Sequence, residues 1–268
     1  MAVFRWFSLV AGLCLSFSVS SQMLHDGEDS GLLVVMTSGA FAAALAVLAP
    51  QFERESGIPL TIVRGASSGG ESTSILSRLA SDEHADVIIL SRASLVWLTD
   101  RGDVRPETRV DLVRSRIGIA VRTGVAAFDI SSTDAFVKTI RDSESFGYSA
   151  SVSGSYILDV LLPELGIWEQ VQSKGLRVTD EPVGVAVARG EIEIGFQKIS
   201  EILAVDGVLL VGPLPAELQL ESTFSAAMTQ RSANLSNARA LIDFLWPDEV
   251  AEQIERTGLD PVAREIGR

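Results

Sequence analysis

Three short apolar runs, LLVVM (32–36), PLTIV (59–63) and DVIIL (86–90), begin 27 residues apart. Two parallel strands joined by a helix need a dozen or more residues between them, and this interval supplies them. Between the first two runs, Phe41, Leu45, Leu48 and Phe52 recur at helical spacing until Gly57-Ile58-Pro59 ends the pattern. Ile75, Leu76 and Leu79 mark a second helix before the third run. The alternation restricts the chain to an α/β fold built on largely parallel sheet.

The same grammar continues through IGIAV (117–121), an apolar segment at 146–150, LRVT (176–179), IEIGF (192–196) and GVLLVGPLP (207–215). Helical stretches fall between them, around 136–140, 156–165 and 183–189. The C-terminal segment is helical, with Leu241, Ile242 and Leu245 on one face and a break at Pro247. With 268 residues, 47% of them hydrophobic, the chain can bury one large core or two modest lobes of about 100 residues each.

A formal net charge of −13 argues against a nucleic-acid partner, which calls for clustered Lys and Arg. At the N-terminus Arg5 precedes an apolar stretch from Trp6 to Val19, and Ser18-Val19-Ser20 has the small-x-small cleavage pattern. Those 14 residues fall short of the roughly 20 of a membrane span. Residues 1–21 are therefore read as a cleaved signal peptide and the mature protein as periplasmic. The single cysteine, Cys14, leaves with the signal, and Leu13 before it disfavours lipidation. No thiol chemistry remains. His25 and His84 lack metal-ligand spacing, and phosphate-loop and nucleophile-elbow motifs are absent. Neither a metal nor a cofactor is expected.

What remains are four strand exits rich in small and hydroxyl residues, each opening a helix. They are TSGAF with Ser38 and Ala40, RGASSGG with Arg64, Ser67 and Ser68, SVSGSY with Ser153 and Tyr156, and QKISE with Gln197 and Lys198. A helix amino end carries unpaired N–H groups and partial positive charge, and Gly or Ser lets an anion approach them. Such exits gather outside the carboxyl ends of strands in an open sheet. Lys198, ending a buried strand, needs a partner there. Glu201 reads as helix-cap chemistry, and Trp97 and Trp168 read as core.

The stretches VVMTSGAFAAALAVLAPQFERESG, GASSGG followed by ADVIIL, SASVSGSYILDVLLPELGIWEQV and VAVARGEIEIGFQKISE resemble the periplasmic molybdate-binding proteins of ABC transporters. These belong to the type II solute-binding proteins, a family that also includes a periplasmic aconitate isomerase. The resemblance implies two α/β lobes, each a mostly parallel sheet flanked by helices, clamping a ligand between them. Lobe one would span 31–114 plus 222–268, and lobe two 115–221. It also implies a monomer that hands a small anion to an ABC-type permease.

In the family, neutral donors hold molybdate. Carried over by position, the first-turn serine falls on Ala40 beside Ser38, the paired serines on Ser67 and Ser68, and the tyrosine of the fourth turn on Lys198. The third turn becomes Val152-Ser153-Gly154 with Tyr156 kept. Two cations, Arg64 and Lys198, suit carboxylates better than a tetrahedral oxyanion, since Arg grips a planar carboxylate with two parallel bonds. The expected ligand is a small organic polycarboxylate bound for uptake. The alternatives are isomerisation of aconitate with Lys198 as base and Ser38, Ser67 and Gln197 holding carboxylates, and strict molybdate or tungstate binding.

Overall fold

The computed structural model describes residues 31–67, 74–246 and 248–263. The expected signal peptide, His25 and Ser68 lie outside them. Among the described residues the strands are β1 Leu33–Ser38, β2 Leu60–Gly65, β3 Val87–Ser91, β4 Val110–Ser115, β5 Ile117–Arg122, β6 Phe146–Ser149, β7 Gly175–Val178, β8 Ile194–Lys198, β9 Val208–Pro213, β10 Ser222–Met228 and β11 Asp260–Pro261. They form a six-stranded sheet, ordered β11-β4-β10-β3-β1-β2, and a five-stranded sheet, ordered β7-β6-β8-β5-β9.

The α/β expectation holds, with one refinement: both sheets are mixed. β1 runs parallel to β2 and β3, and β6 parallel to β7 and β8. β10 is antiparallel to β3 and β4, as is β5 to β8 and β9. The antiparallel strands are those carrying the chain between sheets. β4 passes into β5 through Arg116 alone, and β9 returns to β10 through 214–221. With one residue between β4 and β5 there is no room for a crossover helix, so that strand keeps its direction and meets neighbours of opposite sense.

The runs LLVVM and DVIIL follow from burial on both faces, whereas PLTIV forms a partly exposed edge strand. Leu33, Val35, Val87 and Ile89 join one core with Phe41, Leu45 and Leu48 of the helix Gly39–Ser56. Met36, Ile88 and Leu90 point the other way, to Ile75, Leu95 and Leu98. Gly57 caps the helix in the left-handed region at φ 72°, donating to Glu53 O at 3.0 Å. In the second sheet's core Phe146 of β6 and Phe136 of the helix Thr133–Asp142 each meet Phe196 edge-on, with centroids 6.1 and 6.0 Å apart. Trp168 packs against that core as expected. Trp97 does not: it is 44% exposed, with the Arg101 guanidinium 4.5 Å over its ring.

Candidate functional site

The carboxyl ends of β1, β2, β3, β6 and β8, with the exit of β7 and the start of β10, surround one cleft of about 410 Å³. That volume suits a small ligand. Ser38, Ala40, Arg64, Ser67, Ser153, Gln197 and Lys198 all line it. Tyr156 does not: its hydroxyl donates to Leu218 O at 2.9 Å. Ser91, Ser149, Ser151, Thr179, Asp180, Glu181, Glu201 and Ser222 also contribute to the wall.

Ser38 ends β1 and stands at the amino end of the 18-residue helix Gly39–Ser56, yet its side chain makes no capping bond. It is 3% exposed and Oγ has no hydrogen-bond partner among the described residues. Leaving a buried hydroxyl unsatisfied costs about 1–3 kcal/mol, which a ligand oxygen there would recover. Across the cleft, Ser149, Ser151 and Ser153 cluster at the exit of β6, with Ser149–Ser151 and Ser151–Ser153 oxygens 2.7 and 3.1 Å apart. Gly154 makes this turn possible, since a Cβ there would come 1.7 Å from Ser149 O. At the exit of β3, Ser91 accepts from Ser94 N at 3.3 Å, and Ser94 Oγ donates to Ser67 O at 3.0 Å. This chain of bonds fixes the serine turn after β2 from beneath.

Lys198 is 4% exposed. Its Nζ donates to Ser115 O at 3.2 Å, Leu220 O at 3.5 Å and Ser222 Oγ at 3.0 Å. Burial pulls its pKa down to about 8, against the opposing pull of Glu201 and Glu221. Gln197 is buried beside it and accepts from Gly184 N at 3.4 Å.

Glu201 was absent from the expected site. It sits at the third position of the helix Ile199–Leu203, close to the Lys198 backbone and the Gln197 side chain. That is the position at which the sequence suggests capping chemistry. The same carboxyl faces the cleft and packs on Gly39 of the other sheet's helix, so close that a Cβ there would meet Oε1 at 2.0 Å. Beside it Ser200 Oγ donates to Ala40 O at 2.7 Å. Burial pushes the Glu201 pKa up to about 7, while the Lys198 charge and the nearby Lys198 backbone and Gln197 side chain hold it lower than burial alone would.

The cleft therefore mixes signs. Arg64 and Lys198 bring positive charge, and Asp180, Glu181 and Glu201 bring carboxyls. Glu181 is turned towards Arg189, with Oε2 2.8 Å from Nη1. Hydroxyls, two cations and a carboxyl titrating near neutrality equip the cleft to hold an anion and to exchange a proton with it.

The sequence profile of the family described as bacterial extracellular solute-binding protein matches residues 33–260. An aconitate isomerase from a Pseudomonas species is 38% identical over 244 residues, covering 91% of this chain and 93% of that protein. The molybdate-binding protein ModA of Escherichia coli K12 is 24% identical over 261 residues, covering 95% and 97%. Among solved structures, the periplasmic molybdate-binding protein of Azotobacter vinelandii superposes with a TM-score of 0.69 at 17% identity, covering 87% of this chain and all of that one. The two-sheet architecture is that of the type II periplasmic binding proteins, and the chain belongs to the bacterial extracellular solute-binding protein family.

Proposed function

We propose that this chain is an exported, periplasmic protein that takes a small polycarboxylate between two lobes (31–114 plus 222–268, and 115–221) and shifts its double bond, as an isomerase of aconitate. One observation carries the reading: Lys198 and Glu201, with pKa values drawn to about 8 and about 7, share one cleft. Moving a double bond needs proton removal and return, and a cleft that sets a carboxyl of raised pKa beside a buried cation offers an acceptor for the proton and a charge for the anion. Arg64, Ser38 and Ser67 on the facing wall are suited to carboxylates. The 38% identity of an aconitate isomerase over nearly its whole length supports the same conclusion.

The test is direct. Purified protein is incubated with trans-aconitate and the cis isomer is followed by chromatography. Conversion that tracks protein concentration is expected; none above a buffer control overturns the enzyme reading.

The family match favours a second reading, capture of the same anions for an ABC-type permease. It predicts that aconitate or citrate raises the melting temperature without turnover, because a ligand stabilises the folded state by mass action. A shift with molybdate and tungstate alone would instead mark a strict oxyanion receptor.

A further inference from the structure

The sequence points to Lys198 as the group that removes the proton, but its hydrogen bonds argue otherwise. An ammonium has three N–H donors and no acceptor. Lys198 Nζ faces Ser115 O, Leu220 O and Ser222 Oγ, and two of these are carbonyls that only accept. Below its pKa of about 8 Lys198 is an ammonium whose donors go to these three oxygens, and it has no lone pair with which to take a proton. At neutral pH it is a cation.

Glu201 differs in each respect. Its carboxyl reaches the cleft from the second sheet and lies against Gly39, the first residue of the long helix of the first sheet. Gly39 follows Ser38, the buried hydroxyl that has no hydrogen-bond partner among the described residues. We infer that Glu201 is the catalytic base of this cleft and that Lys198 is the stationary charge beside it. This rests on the proposed isomerisation. The ionised carboxylate takes a proton from the ligand's methylene carbon next to a carboxylate. The C–H electron pair forms the new double bond, the old double bond opens, and Glu201 returns the proton to the far carbon. One proton leaves and one returns, with no co-reactant. Negative charge building on the ligand carboxylates during the step meets Lys198, Arg64 and the amino end of the helix Gly39–Ser56.

Glu201's raised pKa makes it a stronger base than an ordinary carboxylate while leaving it ionised above neutrality. The charged groups around it are Lys198 on its own segment and Arg64, Asp180 and Glu181 on the cleft wall. Glu221 acts on Lys198 from the return crossing, with Arg114 3.7 Å from it. The first turn of the helix Gly39–Ser56 carries no acidic residue.

The experiment compares full-length wild type, Glu201→Gln and Glu201→Asp on trans-aconitate between pH 6 and 9, with citrate binding followed by calorimetry. The expected Gln variant binds citrate within a few-fold of wild type, loses kcat by about 100-fold or more, and loses the acid limb near pH 7. A Gln variant with near-wild-type kcat or an intact acid limb overturns the inference while leaving the isomerase reading standing. Should the Gln variant not fold, full activity in the Asp variant, whose carboxylate is one methylene shorter, overturns it equally. No turnover by wild type removes the proposed function and the base together.

Discussion

Lys198 Nζ and Ser222 Oγ stand 3.0 Å apart, tying the last residue of β8 to the first residue of β10. The same ammonium reaches Ser115 O, the last residue of β4. One buried charge in the second sheet thus bonds to both crossings that connect it to the first. Gln219 adds a neutral clamp nearby, accepting from Ile117 N at 2.8 Å and donating to Ile117 O at 2.9 Å. The cation that faces the cleft is also bonded to both connections between the sheets.

Ser222→Ala removes one of three acceptors from a buried ammonium. The charged form loses support, so the Lys198 pKa, already about 8, falls further. The alkaline limb of kcat/KM should move down by roughly half a unit to one unit, with a loss of about 1 kcal/mol in stability. A pH–rate profile with a denaturant melt reads both. An unmoved alkaline limb would show that Lys198 is not the group behind it.

Glu201 should make stability depend on pH in a defined direction. Its folded-state pKa is raised from 4.5 to about 7, so the folded protein holds this proton more tightly than the unfolded chain. Its contribution is fully present below about pH 4.5 and is lost as pH rises through 7. Glu201→Gln cannot ionise and avoids that loss. The variant should match wild type near pH 4.5 and be more stable at pH 8 by about 1–3 kcal/mol, a few degrees in Tm. Melts at the two pH values test the sign; a variant less stable than wild type at pH 8 contradicts it.

Ser38→Ala should change stability and binding in opposite directions. The free protein loses a buried hydroxyl that has no partner among the described residues, and its Tm should hold or rise slightly. The ligand loses a candidate hydrogen-bond donor on the cleft wall, and citrate affinity should fall about tenfold. Calorimetry and a thermal melt on one preparation separate the effects. Unchanged affinity would place the ligand away from the amino end of the helix Gly39–Ser56.

The buried parallel strands were legible because both faces are covered, which writes LLVVM and DVIIL as continuous apolar runs. β4 and β10 were not. VDLVRS carries Asp111 and Arg114, and STFSAAM is built largely of small residues that fit between neighbouring strands. Neither shows a strong strand signature outside its tertiary setting. Within the site, the hydroxyl-rich exits and Arg64 and Lys198 could be read locally, since strand ends collect on one side of a sheet. Glu201 could not. A capping position accounts for it within its own helix, and only its contact with Gly39, 162 positions earlier, reveals a second role. Tyr156 was misleading for the opposite reason: a tyrosine beside a serine turn suggests a ligand donor, but its hydroxyl donates its hydrogen bond to the Leu218 carbonyl.

That contact with Gly39 supplies the most selective test, because it moves Glu201 without removing it. A Cβ at residue 39 would lie 2.0 Å from Oε1 and 3.0 Å from the carboxyl carbon of Glu201. The clash is with the end of a flexible side chain, so the backbone can stay and the carboxyl must swing aside. Alanine is also the better helix former, by up to about 1 kcal/mol in a helix interior and less at a first position. Gly39→Ala should therefore keep its Tm and lose about 100-fold in kcat, the scale of penalty expected when a reacting group is displaced by an ångström or so. Combining it with Glu201→Gln should cost little more than either change alone, since both act on one group. Additive losses would mean that Gly39 and Glu201 serve separate purposes, and full activity in Gly39→Ala would mean that the position of Glu201 does not matter.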